Sequence, residues 1–452
     1  MEDNISLYLD NVAGGQVYID EFSIREVLSA GSLGGELIRS PRADVHTYVD
    51  QRPAAYFDQE VVAGEQNYVF YKYVVQDKND WIPNHLHNFG MFVNDGDGYY
   101  QANGTRNRWL QNAWWRYLVA RWGYSTAIHS WELNNEGPPD DGSGSHARAA
   151  QDFSKFMHDY DSHPHLAMTS FWCCWRPTFW GDEVNFPDID YADIHQYINT
   201  DDVSSYDLAQ WIYDNAAEYF QSQVGKPIQI GEIGIQGAES DWFNNQTDPT
   251  WWHNLVWAGI NHTGVSYPNY WYPNHLDQIN YQTEIGRFTK FIKDIPLTSG
   301  YYKSAGVQVS NSNLRAWGQK DTVNGGLYLW VQNKNNTWKN RRDGVNIPAQ
   351  SGTITVGGFQ SGKSFQVEDW NTWTGTYTTQ TKIVDSQGNL IFSIFNLQTD
   401  KAIRILSAGS VNLPGDVDHD GDVDKDDAVI VLSNYGQMNS IDFAWVRKDW
   451  GQ

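Results

Sequence analysis

Two patterns of hydrophobic and polar positions follow one another along this chain. Between residues 36 and 299, short apolar runs that are typical of buried strands alternate with longer stretches of helical periodicity. The strand-like runs lie at 69–75, 127–133, 166–172, 191–197, 227–233 and 265–272, and the helical stretches lie at 54–66, 107–122, 147–160, 206–223, 251–260 and 282–295. Strands and helices that alternate at this spacing predict an α/β fold with a parallel sheet.

The parallel strands favour a closed barrel over an open nucleotide-binding sheet, because no glycine-rich phosphate loop follows any of them. The expected fold is therefore a (β/α)8 TIM-type barrel. Six strands are clear and residues 36–39 offer a weak seventh, whereas such a barrel needs two strands before residue 69. We therefore expect a barrel that is incomplete or irregular at its N-terminal strands.

The pattern indicates three further segments outside residues 36–299. Residues 1–35 alternate apolar and polar positions and end in the linker-like stretch L-S-A-G-S-L-G-G; a remnant of a β-sandwich module and a simple hairpin are both open interpretations. Residues 300–410 contain short alternating strands between Gly, Asn and Asp turns, which predict an antiparallel β-sandwich. Residues 411–452 form a separate acidic unit.

The composition narrows the range of partners. Lys and Arg total 31 against 55 Asp and Glu, and this net charge of -24 argues against nucleic acid and anionic membranes, whose phosphates require clustered cations. No stretch approaches the ~18 apolar residues of a membrane span, and the acidic first residues lack the layout of a signal peptide. The 22 Trp suit both sugar faces and ordinary cores. In the helical stretch 107–122, the expected core residues are Trp109, Trp114, Trp115 and Trp122.

Two glutamates follow or end strand-like runs. The stretch A-I-H-S-W-E-L-N-N-E-G carries Glu136, and the stretch P-I-Q-I-G-E-I-G carries Glu232. Each is either a structural acid paired with Arg or Lys, or a catalytic group, because an unpaired buried charge is costly. Catalytic groups of a barrel gather where its strands end. Two such glutamates therefore favour cleavage of a glycosidic bond, which needs an acid and a nucleophile or base.

These motifs resemble those of the clan A glycoside hydrolases, the (β/α)8 cellulases, mannanases and their relatives. W-E-L-N-N-E at 131–136 is similar to the clan's strand-four motif, and I-G-E-I-G at 230–234 is similar to its strand-seven motif. The resemblance implies that Glu136 is the acid/base, that Glu232 is the nucleophile, and that Asn135 contacts the sugar 2-hydroxyl. It also implies retention of configuration, with carboxyl groups about 5–5.5 Å apart. Gly137 stands where many members have Pro.

Two further stretches extend the resemblance. I-H-Q-Y at 194–197 resembles the clan's strand-six motif, which implies that His195 lies near the acid/base and that Tyr197 hydrogen-bonds the nucleophile. N-Y-W-Y-P at 269–273 resembles strand eight, whose tryptophan, here Trp271, floors the cleavage subsite. An Arg on strand two commonly supports the nucleophile, and the candidates for it are Arg39 and Arg42.

The segment after the fifth strand carries several residues with two open interpretations. Trp172 and Trp175 either stack on sugar rings or pack in the rim. Cys173 and Cys174 are adjacent and form either a strained vicinal disulfide or two free thiols. Elsewhere, the motif N-H-L-H-N at 84–88 lacks a placed third ligand, so contacts of its histidines to loop backbone or substrate are favoured over a metal site.

The acidic C-terminal unit contains the motif G-D-V-D-H-D-G-D-V-D-K-D-D at 415–427. Its aspartates have the spacing of an EF-hand calcium loop, with the glycine of that loop at Gly421. The predicted ligands are Asp416, Asp418, Asp420, Asp422 and Asp427. The motif resembles the first half of a type I dockerin and implies one structural Ca²⁺ ion. The second half lacks a calcium loop, so a cohesin-like scaffold stays an open partner, and no metal is expected to take part in catalysis.

Together these features predict a secreted retaining glycoside hydrolase. Its expected action is endo cleavage of internal β-glycosidic bonds in a plant-type polysaccharide, either β-glucan or cellulose, or β-mannan. A non-catalytic polysaccharide-binding or scaffold protein with a degenerate barrel is the alternative, and the weak N-terminal strands motivate it. Nothing in the sequence distinguishes a glucan, mannan or xylan pocket.

Overall fold

The computed structural model describes residues 25–27, 33–36, 51–67, 69–76, 106–137, 145–163, 165–171, 175–202, 206–221, 225–237, 240, 247–262, 264–265, 268–270 and 278–406. Several residues singled out above lie outside these ranges, and what was predicted for them stays a prediction. They are Arg39, Arg42, the histidines at 85 and 87, Trp172, the cysteines at 173–174, Trp271 and the calcium loop at 416–427.

The chain forms two compact units, Met1–Glu60 and Val61–Gln452. In the first unit, β1 (Arg25–Val27) pairs antiparallel with β2 (Leu33–Glu36). The linker predicted at 28–35 is therefore wrong in part, because its last three residues belong to β2. Glu36, which begins the weak strand candidate 36–39, ends β2 and pairs antiparallel with Arg25. Among the described residues, it contributes nothing to a parallel sheet.

The second unit contains a series of parallel strands that lie where the sequence predicts them. They are β3 (Tyr71–Val74), β4 (Ile128–Glu132), β5 (Leu166–Met168), β6 (Ala192–Asn199), β7 (Ile228–Gln236) and β8 (Pro268–Tyr270). The strands β3, β4 and β5 pair in chain order, as do β6, β7 and β8, and a parallel bridge from Ser170 to Asp193 joins the two sets. Within the described part of the chain the series ends at β3 and β8, so closure into a barrel stays a prediction.

Helices lie before, between and after these strands, and all but the short one at 177–180 lie where the sequence pattern predicts a helix. They are α1 (Gln51–Asn67), α2 (Arg106–Trp122), α3 (Ser145–Tyr160), α4 (Pro177–Trp180), α5 (Leu208–Gln221), α6 (Thr250–Ala258) and α7 (Tyr281–Ile292). Strand residues such as Trp131, Ile194 and Ile233 are fully buried, which explains why the strands are near-continuous apolar runs. No helix of the described residues has the length and apolarity that a membrane crossing requires.

One prediction for α2 is wrong. Trp115 and Trp122 are buried as expected, but Trp109 is 60% exposed. Arg108 takes an inward position instead, with its guanidinium 5.5 Å from the ring centroid of Trp115 and 3.2 Å from the carboxylate of Asp152. A cation that stacks on an aromatic face and also has an anionic partner can be buried at low cost. Trp109, one position further along the helix, then faces outward.

Residues 302–405 form two antiparallel sheets, the arrangement that the alternating pattern predicts. The larger has the order β15–β14–β17–β12–β11–β9 and the smaller has the order β10–β13–β16. The elements are β9 (Tyr302–Ser304), β10 (Gln308–Val309), β11 (Leu314–Asp321), β12 (Leu327–Asn333), α8 (Trp338–Arg342), β13 (Gln350–Val356), β14 (Ser364–Asn371), β15 (Thr376–Ile383), β16 (Leu390–Leu397) and β17 (Asp400–Ile405). One apolar core includes Leu329 and Ile403 from the larger sheet and Ile354 and Phe392 from the smaller.

The larger sheet also packs against α6 and α7 through a buried polar cluster. His253 of α6 lies between two carboxylates: its Nδ1 is 2.9 Å from Oε1 of Glu284, and its Nε2 is 2.8 Å from Oδ2 of Asp400. The indole N–H groups of Trp330 and Trp373 both donate to Asp400, at 2.8 and 2.9 Å. All three ionisable side chains are at most 2% exposed. Since a buried charge is stable only when it is paired, this cluster holds the sandwich against the helices.

The charges of this cluster determine how His253 titrates. Burial alone lowers the pKa of His253, but the carboxylates of Asp400 and Glu284 outweigh burial and raise it to about 9. Burial alone raises the pKa of Asp400, but His253 and the hydrogen bonds to the carboxylate hold it below its ordinary value. His253 is therefore an imidazolium ion at neutral pH.

We expect the free energy of unfolding to fall as the pH rises from about 6.5 to about 9. A histidine whose pKa is raised by folding contributes its full stability below its unfolded pKa of about 6.5, and that contribution is lost as the pH passes the folded value, about 9. The expected loss is about 3 kcal/mol. Chemical denaturation at pH 6, 7.5 and 9.5 measures it.

The variant His253→Gln should show a much flatter profile in this pH range. The matched control is His158→Gln, because His158 of α3 is also paired with two aspartates but is 29% exposed. That variant should keep most of the decline. An equally steep decline in His253→Gln would show that other groups set the pH dependence.

Candidate active site

The two glutamates singled out in the sequence come together beside one histidine. Glu136 follows β4, Glu232 lies in β7, and His195 lies opposite Glu232 on β6. His195 Nδ1 lies 2.6 Å from Oε2 of Glu232 and 3.4 Å from Oε1 of Glu136. One ligand atom from each of the three side chains lies within 4.8 Å of the other two. The site is therefore a close pair of carboxylates with an imidazole between them.

The position of Glu232 in the structure differs in one respect from the position that the sequence predicts. The sequence predicts that Glu232 ends its strand, whereas β7 continues to Gln236. The residues after Glu232 still pair with β6, since Ile233 lies opposite Gln196 and Gly234 lies opposite Tyr197. The apolar residues I-G-I that follow Glu232 continue the pairing of β7 with β6 beyond the charged residue.

Glu136 adopts a backbone conformation that is rare for its residue type. Its φ angle is 60°, in the left-handed region, at a cost of about 1–3 kcal/mol for a residue other than glycine. Three hydrogen bonds hold this turn: the backbone N–H of Glu136 donates to Ser170 Oγ at 2.9 Å, that of Gly137 to the carbonyl of Ser170 at 3.0 Å, and that of Asn135 to the carbonyl of Gln76 at 2.7 Å. The strained turn projects Glu136 from the end of β4 toward His195.

The structure also describes three other residues that were predicted to contact substrate, namely Tyr197, Asn135 and Trp175. Tyr197 follows His195 by two positions on β6, so both side chains project from the same face of the strand. Asn135 is half-buried directly before Glu136. Trp175 packs against other aromatic rings: its ring centroid lies 5.3 Å from that of Trp180, in a stacked arrangement, and 5.1 Å from that of Tyr219 on α5. These contacts favour the packing interpretation of Trp175.

A second buried charge cluster, which sequence reasoning missed, adjoins the glutamate pair. Lys72 of β3 extends its ammonium to two carboxylates, at 2.8 Å from Oε2 of Glu132 and 2.6 Å from Oδ2 of Asp193. Both carboxylates are fully buried. Ser170 Oγ donates to Oε1 of Glu132 at 2.5 Å. The available signal was a charged residue inside each of three apolar runs, but the sequence did not reveal that these residues meet.

The chemistry of this second cluster keeps Lys72 charged. Burial by itself lowers the pKa of Lys72, but the negative charges of Asp193 and Glu132 outweigh burial, so the pKa lies well above its ordinary value. Burial, together with Asp193, raises the pKa of Tyr191 far above its usual range. The hydroxyl of Tyr191 lies 2.9 Å from that of Ser130. Lys72 is thus a permanent cation, and Tyr191 is a neutral phenol.

Two groups of described residues have the composition of a metal site. Glu132, Asp193 and His195 bring ligand atoms within 4.8 Å of one another, and so do Glu136, His195 and Glu232. In the first group the ammonium of Lys72 already contacts both carboxylates, so the cation is supplied by the chain itself. In the second group the same three side chains suit either acid–base chemistry or a metal ion.

Two glycines permit the close packing of this region. A Cβ atom on Gly137 would lie 2.1 Å from the ring of His146, and one on Gly231 would lie 1.9 Å from Oδ1 of Asp193. Gly231 directly precedes Glu232, so Asp193 packs against the backbone that carries Glu232. The ring of His146 is held in place, since its Nε2 lies 3.1 Å from Oγ1 of Thr169.

The solved structures that are similar to this chain include glycoside hydrolases, and their sequence identity to it is low. No protein-family model matches the sequence, and no curated protein matches it. The similar solved structures include a bifunctional glucanase-xylanase from a metagenome library, which is 13% identical, with 74% of this chain and 76% of that chain covered and a TM-score of 0.38.

Two other similar structures have comparable values. A glycoside hydrolase family 44 endoglucanase from Clostridium acetobutylium is 15% identical, with 65% of this chain and 70% of that chain covered and a TM-score of 0.39. An endo-beta-1,4-mannanase from Thermotoga petrophila is 11% identical, with 77% and 81% covered and a TM-score of 0.36. With TM-scores of this size, the function of this chain has to be argued from its own residues.

We expect Gly137→Ala to destabilise the protein by about 1–3 kcal/mol, because overpacking a buried position has a cost of this size. The new methyl group would overlap the ring of His146, which is 1% exposed and hydrogen-bonded. The matched control is Gly286→Ala in α7, where a Cβ atom meets nothing within 4 Å and where alanine favours the helix. Chemical denaturation compares the two variants. Equal effects would show that the space beside His146 is not limiting.

Proposed function

We propose that this protein is a retaining glycoside hydrolase, with Glu136 as acid/base and Glu232 as nucleophile. The observation that carries the proposal is the approach of the two carboxylates: one oxygen of each lies within 4.8 Å of the other and of a ring nitrogen of His195. Retaining enzymes hold their carboxyl groups about 5–5.5 Å apart, whereas inverting enzymes need about 6.5–9.5 Å to admit a water molecule. The short separation supports retention.

The proposed reaction proceeds in two steps. Glu232 attacks the anomeric carbon while Glu136, carrying a proton, donates it to the departing glycosidic oxygen. The product of this step is a glycosyl ester of Glu232. Glu136 then removes a proton from water, which displaces Glu232 from the sugar and regenerates both carboxyl groups.

His195 has two roles in this proposal. Its Nδ1 faces both glutamates, so it maintains their spacing. Its Nε2 is buried and has no hydrogen-bond partner among the described residues. Buried polar atoms of this kind are rare unless a ligand completes them. We therefore assign Nε2 to a hydroxyl group of the bound sugar.

The proposed substrate is a β-linked plant-type polysaccharide that is cut at internal bonds. Asn135, Tyr197 and Trp271 are its proposed contacts, by the resemblance of their motifs. The same proposal includes secretion and a structural Ca²⁺ ion bound by the acidic loop at 416–427. A cohesin-like partner for the C-terminal unit stays open, and the reaction itself needs no cofactor in this mechanism.

Substitution of the two glutamates tests the mechanism. Glu232→Ala should lower hydrolysis by at least about 10⁴-fold, because no covalent intermediate forms. Glu136→Ala should spare the cleavage of an activated aryl glycoside, whose leaving group needs no proton, and azide should accelerate its turnover. Proton NMR of the first product formed by the wild type should show retained anomeric configuration. Inverted product, or full activity of Glu232→Ala, would refute this assignment.

A panel of mannan, cellulose, xylan and mixed-linkage glucan tests the substrate and the alternative function. Release of reducing ends from any of them supports a hydrolase. Binding without release supports the non-catalytic polysaccharide-binding protein instead.

The geometry around His195 also suits a metal ion, which a chelator tests. Loss of activity with a chelator in both the wild type and the Asp416→Ala variant would favour a catalytic metal. The Asp416→Ala variant is needed because loss of calcium from the C-terminal unit could by itself inactivate the protein. We expect activity to persist, since both catalytic steps are assigned to the glutamates.

A further inference from the structure

Lys72, whose side chain is 17% exposed, touches neither glutamate of the proposed catalytic pair, yet its ammonium contacts a neighbour of each. Its ammonium lies 2.8 Å from Glu132 and 2.6 Å from Asp193. Glu132 lies at the end of β4, ahead of Glu136 in the chain, and Asp193 lies on β6, beside β7. One cation thus joins the strands that carry both members of the pair.

The first connection runs from Lys72 to the backbone of Glu136. Glu132 binds the ammonium with Oε2 and accepts a hydrogen bond from Ser170 Oγ with Oε1. The same Ser170 oxygen accepts the backbone N–H of Glu136 at 2.9 Å. Since Glu136 has a φ angle of 60°, this bond helps to hold a conformation that the residue would not adopt by itself.

The second connection runs from Lys72 to the strand of Glu232. Asp193 binds the ammonium with Oδ2, and its carboxylate lies directly over Gly231, where a Cβ atom would come within 1.9 Å of Oδ1. The position of Asp193 therefore determines how closely β7 can approach β6 immediately before Glu232. The ammonium keeps Asp193 in this place.

We infer that Lys72 is a positioning residue that sets the separation of Glu136 and Glu232, through Glu132 and Ser170 on one side and through Asp193 on the other. The inference rests on the proposed function, because it assigns Lys72 a role in that site. Without the ammonium, the ligand oxygens of Glu132 and Asp193 would face each other within 4.8 Å with no cation between them, and two such carboxylates repel. Both connections would then relax.

The test compares three variants on two substrates. Lys72→Met removes the cation at similar length, Lys72→Arg retains it, and Ser170→Ala cuts only the connection to Glu136. The substrates are the polysaccharide that the wild type hydrolyses best and a dinitrophenyl glycoside of the same sugar, whose leaving group needs no proton. The matched control is Lys226→Met, since Lys226 is even less exposed than Lys72 (6% against 17%) but lies just before β7, at the end of the strand opposite to the site.

We expect Lys72→Met to lose about 100-fold in kcat on both substrates, with little change in KM, because a misplacement of about 1 Å has an effect of this size. Lys72→Arg should recover most of that loss. Ser170→Ala should lose about 100-fold on the polysaccharide but stay near the wild type in the first step with the dinitrophenyl glycoside. Lys226→Met should change thermal stability and leave kcat and the ratio between the substrates unchanged. A wild-type kcat in folded Lys72→Met, or equal losses on both substrates in Ser170→Ala, would overturn the inference.

Crystal structures provide a readout that does not depend on turnover. In Ser170→Ala the φ angle of Glu136 should leave the left-handed region, and in Lys72→Met the oxygens of Glu136 and Glu232 should move beyond 4.8 Å. If the wild type hydrolyses nothing but these shifts occur, the proposed function fails and the positioning role of Lys72 stands. If the wild type is active and neither geometry nor rate changes, the inference about Lys72 fails alone. Should Lys72→Met fail to fold, Ser170→Ala still decides the connection to Glu136.

Discussion

A cation shared by two fully buried carboxylates is the interaction on which the described site depends. Lys72 of β3 reaches Asp193 of β6 at 2.6 Å, although β4 and β5 lie between these strands in the series. Neighbouring strands are about 4.8 Å apart, so a flat sheet would hold β3 and β6 about 14 Å from each other. The contact therefore requires the strands to curve round a common interior. Burial makes this ion pair costly to break, because loss of the ammonium leaves two uncompensated charges.

That curvature brings the rest of the site together. The bridge from Ser170 to Asp193 joins the two sets of strands, and Ser170 also binds the strained turn at Glu136. The strain at Glu136 is tolerated because hydrogen bonds from three consecutive residues hold the turn in place. Gly137 and Gly231 contribute by lacking a side chain where an imidazole and a carboxylate pack against the backbone. The pair of glutamates is thus placed by the backbone and by buried charges more than by its own side-chain contacts.

The sequence reveals the elements and the pair better than it reveals what supports them. The periodicity of apolar residues and the positions of turn-forming residues are local properties of the sequence, and they located the strands and helices to within a few residues. The glutamates were found because each stands at or near the end of an apolar run. Lys72, Glu132 and Asp193 were missed, since a charge within a strand does not disclose which distant charge neutralises it. Trp109 was misjudged for a related reason: the arginine beside it is buried against Trp115 of the same helix and is paired with Asp152 of α3. Pairings between distant charges are a property of the fold.

The groups of the two charge clusters come from β3, β4, β6 and β7 or from the turn after β4. The sandwich is joined to this part of the chain through α6. All residues of α6 are buried, and a helix that is buried on every side needs cover on both faces. The larger sheet supplies that cover and anchors it through His253 and Asp400. Because α6 lies between β7 and β8 in the chain, the sandwich stabilises a helix that stands between the strand of Glu232 and the next parallel strand.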